Sequence, residues 1–389
     1  MFRPFTTACA QSRTKMICTA ILTTLAMVAT ACSSSGTRSG SGQKQGKASV
    51  GSAFPVVHDD WAKVGYRLDW VGFPFPNAGE GAKVPFIQPL GDVVIAQLRD
   101  STVAALEVAT GKTRWSNTPA STLTRFVGIT GLPQEQASVL VSSESEVFRL
   151  SLATGDLVGR ERFHRVVNTS PLLQGGLAIY GTSVGEVMAH LLGRGVKAWG
   201  FATVGSIDFA PVRVGDAVAA VSQAGDVMFL SADGSLLGRA RVYGPLATNP
   251  VSDNGILYIA GTDQSIWAFD PSGATLWRHR TSVPLRNQPA VFGGRLYIDI
   301  AGSGLTAFDA ITGKVLWAAP SVTGTVIGSQ KGRLLAWSTG TLTILDPERG
   351  DIMAQIKVPG VVGVVTDRTE DGNLYAVSDR ALIAKFIPR

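Results

Sequence analysis

The chain of 389 residues has little cysteine, and where its thiols fall excludes more than their number does. All three, Cys9, Cys18 and Cys32, lie in the first 32 residues. Everything after them lacks a thiol, so a disulfide, a cysteine-ligated zinc site and a cysteine nucleophile are ruled out there. Histidine is scarce too: His58, His164, His190 and His279 stand apart, none at H-x-x-x-H or H-E-x-x-H spacing, and no metal site is expected. His164, in R-F-H-R, reads as a solvated strand end. Only 16% of residues are charged, and no run of eighteen apolar residues occurs beyond the leader. The net charge of +6 belongs to the N-terminal tail. Six of the 35 basic residues (Arg3, Arg13, Lys15, Arg38, Lys44, Lys47) precede the first acid, Asp59, which leaves 29 basic against 29 acidic residues in the body. A neutral body removes the electrostatic case for a nucleic-acid partner.

What is present begins with a targeting signal. Arg3, Arg13 and Lys15 precede an apolar core, Met16 to Val28, and A-T-A-C then ends at Cys32. This predicts a lipoprotein signal peptide over 1–31 and lipid attachment at Cys32. A secreted protein cut at A-x-A and a retained membrane anchor are the alternatives. Residues 32–56, in which Cys32 is followed by S-S-S-G-T-R-S-G-S-G, form a Ser/Gly tether with no apolar period. Ser33 rather than Asp after Cys32 favours the outer membrane, with the body facing the periplasm, or the extracytoplasmic face if the host has a single membrane.

The body, 57–389, repeats itself. L-T-A-F-D-A-I-T-G-K-V-L-W (Leu305 to Trp317) echoes A-L-E-V-A-T-G-K-T-R-W (Ala105 to Trp115) and I-W-A-F-D-P-S-G-A-T-L-W (Ile266 to Trp277). The turn glycines Gly111, Gly155, Gly195, Gly234, Gly273, Gly313 and Gly350 recur at about forty residues, a period of stacked or circular arrays. Each is preceded by an earlier hairpin signal, such as Ser303-Gly304, and short period-two apolar runs lie between. One unit is therefore a four-stranded blade. In the turn itself, Asp309 and Thr312 can bond backbone groups while Gly313 takes a positive φ. Trp115, Trp199, Trp277 and Trp317 follow their glycines at one fixed distance and are expected to fill the gaps between blades. Gly159 and Gly238 stand where two further tryptophans would, with Ala354 near a third such position. An eighth unit opens at Asp379-Arg380 but lacks its last strand, which Tyr66 to Val71, carrying Trp70, can supply. The expectation is an all-β, eight-bladed propeller of four-stranded antiparallel blades, closed by an N-terminal strand.

The pattern A-[FL]-[DE]-x-x-T-G-K-x-x-W, with tryptophans between blades, resembles the pyrroloquinoline-quinone-type repeat. Together with A-T-A-C it resembles the BamB family of lipoproteins of the outer-membrane β-barrel assembly machinery. The resemblance covers about residues 60 to 389. It implies a non-catalytic, membrane-tethered scaffold with protein partners in the cell envelope and no cofactor. A propeller of another envelope complex and a small-ligand sensor are the alternatives, followed by a quinone-dependent dehydrogenase. Against that enzyme, the adjacent Cys-Cys pair usual over the quinone is missing. The acidic stretches E-R-G-D (348–351) and T-E-D-G (369–372) read as turns rather than calcium loops. Finally, Phe73 and Phe75, bracketed by Pro74 and Pro76 in G-F-P-F-P-N, are the expected partner-binding anchors, unless they fold back as a plug.

Overall fold

The structure, a computed structural model, describes residues 54–55, 58–78, 81–132 and 137–389. The signal peptide, Cys32 and nearly all of the tether lie outside these residues. Among them are thirty-two strands, β1 (Tyr66–Gly72) to β32 (Ile383–Pro388) in chain order, and one short helix, α1 (His58–Lys63). The strands form eight four-stranded antiparallel sheets. Seven are consecutive meanders: blade 1 (86–117), blade 2 (126–162), blade 3 (172–202), blade 4 (212–241), blade 5 (251–280), blade 6 (290–319) and blade 7 (325–357). The eighth takes three strands from 361–388 and its outer strand from β1. β1 runs antiparallel to β32, from Tyr66 opposite Pro388 to Gly72 opposite Ile383. Closure in this way removes the free edge that β32 would otherwise present.

The period-two pattern expected of every strand holds only for part of each blade. The two middle strands are buried on both faces, as in Val93–Gln97 and Asp226–Leu230, where all five residues are buried. The physical reason is that each blade is sandwiched between two neighbours, so its middle strands see apolar surface on either side. Alternation reappears in the outer strands, for example Thr275–Arg280. The packed body also begins earlier than 57. Phe54, which composition places in the tether, is 4% exposed and lies 6.4 Å from the Phe386 ring, in one apolar cluster with Trp61 of α1.

Antiparallel meanders place their connections alternately at the two ends of the strands. One face of the ring therefore carries the blade-to-blade linkers and the turns between second and third strands. The opposite face carries the remaining turns, including every T-G-K turn.

Candidate functional site

The joints between blades come first, because they decide which side chains are spoken for. Trp115 of blade 1 lies on the turn glycine of blade 2: a Cβ at Gly155 would sit 2.5 Å from its Cδ2. Trp70, Trp199, Trp277 and Trp317 cover Gly111, Gly234, Gly313 and Gly350 of the following blades in the same way. Each indole Nε1 also donates to a carbonyl of the turn it covers, that of Val108, Leu152, Ala232, Ala310 or Pro347, at 2.8–3.0 Å. The turn glycine thus serves two needs, a positive φ and a flat seat for an aromatic ring. Thr312 donates from N and Oγ1 to Asp309 Oδ1, at 2.7 Å each, and these bonds hold the Asp309 carboxyl below the usual carboxylate range.

In blades 1 to 7 volumes are exchanged between the third and fourth strands, whereas in the eighth Trp70 stands opposite Lys385. Trp115, Trp199, Trp277 and Trp317 stand opposite Ala105, Ala189, Ala268 and Ala307. Where the tryptophan is missing, the small partner becomes large: Arg149 opposite Gly159, Phe229 opposite Gly238 and Ile344 opposite Ala354. At the joint of blades 4 and 5, Gly238 lets the backbone of Ser272 and Gly273 close in, and Trp267 packs from blade 5 into the cluster of Phe229. At the joint of blades 7 and 8, Trp61 stacks on Phe386 with ring centroids 3.6 Å apart, in the cluster that Ala354 borders. The joint of blades 2 and 3 is polar. There Glu161 accepts from Gly193 N at 2.8 Å and pairs with buried His190 at 2.7 Å, while Tyr180, raised by burial, is within 2.9 Å of Ser142 Oγ.

The sequence alone singles out none of Trp61, Trp267, Arg149 and His190 as joint residues. The signal for Arg149 was nonetheless present in the repeat, as a large residue ten positions before a missing tryptophan.

The linker face holds a cavity of about 890 Å³, over blades 8, 1 and 2. Its walls include Phe86, Phe126, Leu123 and Val362, the last two exposed. Lys83 and Arg99 stand at its rim beside Asp379, and Arg125 is neutralised by Glu144 at 2.6 Å. Gln97 lines the cavity at 1% exposure, with Oε1 lacking a hydrogen-bond partner. The chain enters the body beside this cavity: a Cβ at Gly360 would lie 3.1 Å from Pro55 and 3.8 Å from Asp379 Oδ1.

The two proposed anchors separate. Phe75 is 3% exposed and packs with Trp70, Leu98 and Tyr375, so it plugs the joint of blades 8 and 1 and cannot reach a partner. Phe73 is 41% exposed on the linker face. Residues two apart on an extended segment share a side, and here the chain bends at Pro74, between the two rings, before the turn in which Ala78 N donates to Phe75 O.

The sequence profile of the family described as "Outer membrane protein assembly factor BamB" matches residues 76–201, 194–329 and 223–384. No curated protein sequence matches the chain. Among solved structures, the crystal structure of BamB from Moraxella catarrhalis is similar with a TM-score of 0.63 at 19% identity, covering 78% of this chain and 93% of that one. The computationally designed Ika8 protein is similar with a TM-score of 0.65 at 12% identity, covering 80% of this chain and 98% of that one. At these identities both likenesses concern the fold.

Proposed function

We propose, from the premise that this chain belongs to the BamB family of outer membrane protein assembly factors, that it is a non-catalytic scaffold serving outer-membrane protein assembly. In this reading, residues 1–31 are removed, Cys32 carries lipid, and the ring stands off the periplasmic side of the outer membrane. The observation that carries it is the extent of the family match, which runs from 76 to 384 and so includes seven whole blades and two of the four strands of the eighth. A shared single repeat would support only the fold.

The linker face supports the direction of docking. Phe73 is exposed there, the chain enters there at Pro55, and the aliphatic rim of the cavity, Leu123 and Val362, is exposed beside it. Rigid exposed aromatics of this kind dominate interface energy when a partner covers them. The calcium of the catalytic relatives does not fit this site. Among the described residues no three carboxylate, imidazole or thiolate groups converge, and Lys83 and Arg99 at the cavity rim would repel a cation.

The test is fractionation followed by co-purification. Cys32→Ala should move the protein from the membrane to the soluble fraction. The lipidated protein, extracted in detergent, should carry components of the outer-membrane assembly machinery with it, and Phe73→Ala should weaken that association without lowering the melting temperature. A Cys32→Ala protein that still pellets after a salt wash refutes the anchor. Co-purification with an unrelated envelope complex refutes the assembly role.

A further inference from the structure

A second cavity, about 480 Å³, opens on the opposite face, at the joint of blades 2 and 3. We infer that it is a docking site for an acidic peptide segment with apolar neighbours. The inference rests on reading the ring as a protein-binding scaffold, and its chemistry comes from the one joint where a cation stands in the tryptophan's place. With Gly159 opposite it, Arg149 extends into the cavity, its Nε buried and without a hydrogen-bond partner. No carboxylate among the described residues pairs with it. Glu161, the acid of this joint, is occupied by His190 and Gly193 N. Arg213 lines the same cavity and donates from Nη2 to Leu173 O at 3.2 Å, which leaves its other donors free. Among the described residues two guanidinium groups and no acid line this space, and the buried Nε of half-buried Arg149 is costly to leave without an acceptor.

The remaining lining selects a peptide over a simple anion. Gln174 Nε2 donates to Asp216 O at 3.2 Å, and this turns Oε1 into a buried acceptor that has no partner. A backbone N–H would satisfy it. Gly175 and Gly176, both at positive φ, form a bare turn at the mouth: a Cβ on either would meet nothing within 4 Å, so another backbone can come close. Leu132, Leu173 and Leu192 supply apolar walls for the flanking side chains. A carboxylate between the arginines, an N–H on Gln174 and leucine-like neighbours on these walls together describe an acidic residue within an apolar stretch.

Fluorescence anisotropy of a labelled Leu-Glu-Leu-Asp-Leu peptide and its Leu-Gln-Leu-Asn-Leu twin, added to the purified protein, tests this. The acidic peptide should bind about tenfold tighter or better than the amide twin. Arg149→Gln and Arg213→Gln should each erode that preference, and Arg286→Gln, in a linker on the other face, should keep it. Arg213 is exposed, so its variant keeps the test open if Arg149→Gln fails to fold. Equal affinity for the two peptides, or a preference that survives both substitutions, overturns the proposal. So does arginine-dependent binding of phosphatidylglycerol vesicles without any peptide preference, which would assign the site to lipid. Because purified protein is used, failed co-purification with the assembly machinery leaves this result standing, and the reverse also holds.

Discussion

Gly155→Ala tests the double duty assigned to the turn glycines. The substitution forces alanine to φ near +77°, which costs about 1–2 kcal/mol in the left-handed region. Its Cβ would also stand 2.5 Å from Cδ2, 2.6 Å from Cε3 and 2.8 Å from Cγ of Trp115. Relief requires the ring to retreat by roughly 1 Å, an overpacking cost of about 1–3 kcal/mol, and it strains the Nε1 bond to Leu152 O, worth about 1 kcal/mol. The total is about 3–6 kcal/mol. Trp115→Ala, which removes an indole only 8% exposed, should cost about 3–5 kcal/mol by itself. In that background the steric part vanishes, and Gly155→Ala should cost only the backbone share of about 1–2 kcal/mol. Gly175→Ala, at φ +57° with open space around it, measures that share independently. Guanidinium unfolding followed by far-ultraviolet circular dichroism gives the four corners of the cycle. Costs that add within about 0.5 kcal/mol would refute the stacking account.

Two further outcomes follow from the geometry. Deleting 66–71 uncovers the edge of β32 and the seat of Trp70 on Gly111, so the thermal midpoint by circular dichroism should fall; an unchanged midpoint would sink the closure. At the alkaline end, burial pushes Tyr258 up to about 12 and raises Tyr66, Tyr180 and Tyr375 as well. The folded state thus favours neutral phenols that ionise near pH 10 once unfolded, so stability should hold below about pH 10 and decline above it. Spectrophotometric titration of phenolate checks this, and a single ionisation of all six tyrosines near pH 10 would contradict it.

The ring was legible in the sequence because its turn glycine recurs in every meander blade and its tryptophan in most of them. A positive φ at Gly155 or Gly313, a turn bond at Asp309 and an indole at Trp115 or Trp317 each demand a particular residue at a fixed offset. The closing strand was legible for the same reason, since Trp70 stands in register with the others. What replaces a missing tryptophan was harder to see. Arg149 and Phe229 lie across a strand pair, and Trp267 and Trp61 arrive from the neighbouring blade and from α1, so local patterning does not tie them to the gap they fill. Phe73 and Phe75 show the limit for a binding site. Both read as anchors from their prolines, and only the packing of Trp70, Leu98 and Tyr375 around one of them tells them apart. The two cavities were invisible because each is assembled from loops far apart in the chain.

The pairing of β1 with β32 also sets an order of events during synthesis. β1 leaves the ribosome before any other strand of the ring, and its partner leaves last. Lys385 donates to Asp69 across 316 residues, at 2.9 Å, so this bond can form only once the last strand of the ring has been made. Until then Trp70 has Gly111 to cover but no β32 beside it, and β1 waits as an unpaired edge strand. Chaperone demand should therefore peak just before the final blade arrives, and truncation within 383–388 should be more damaging than its length suggests, because it leaves β1 without a partner and turns β31 into an edge strand.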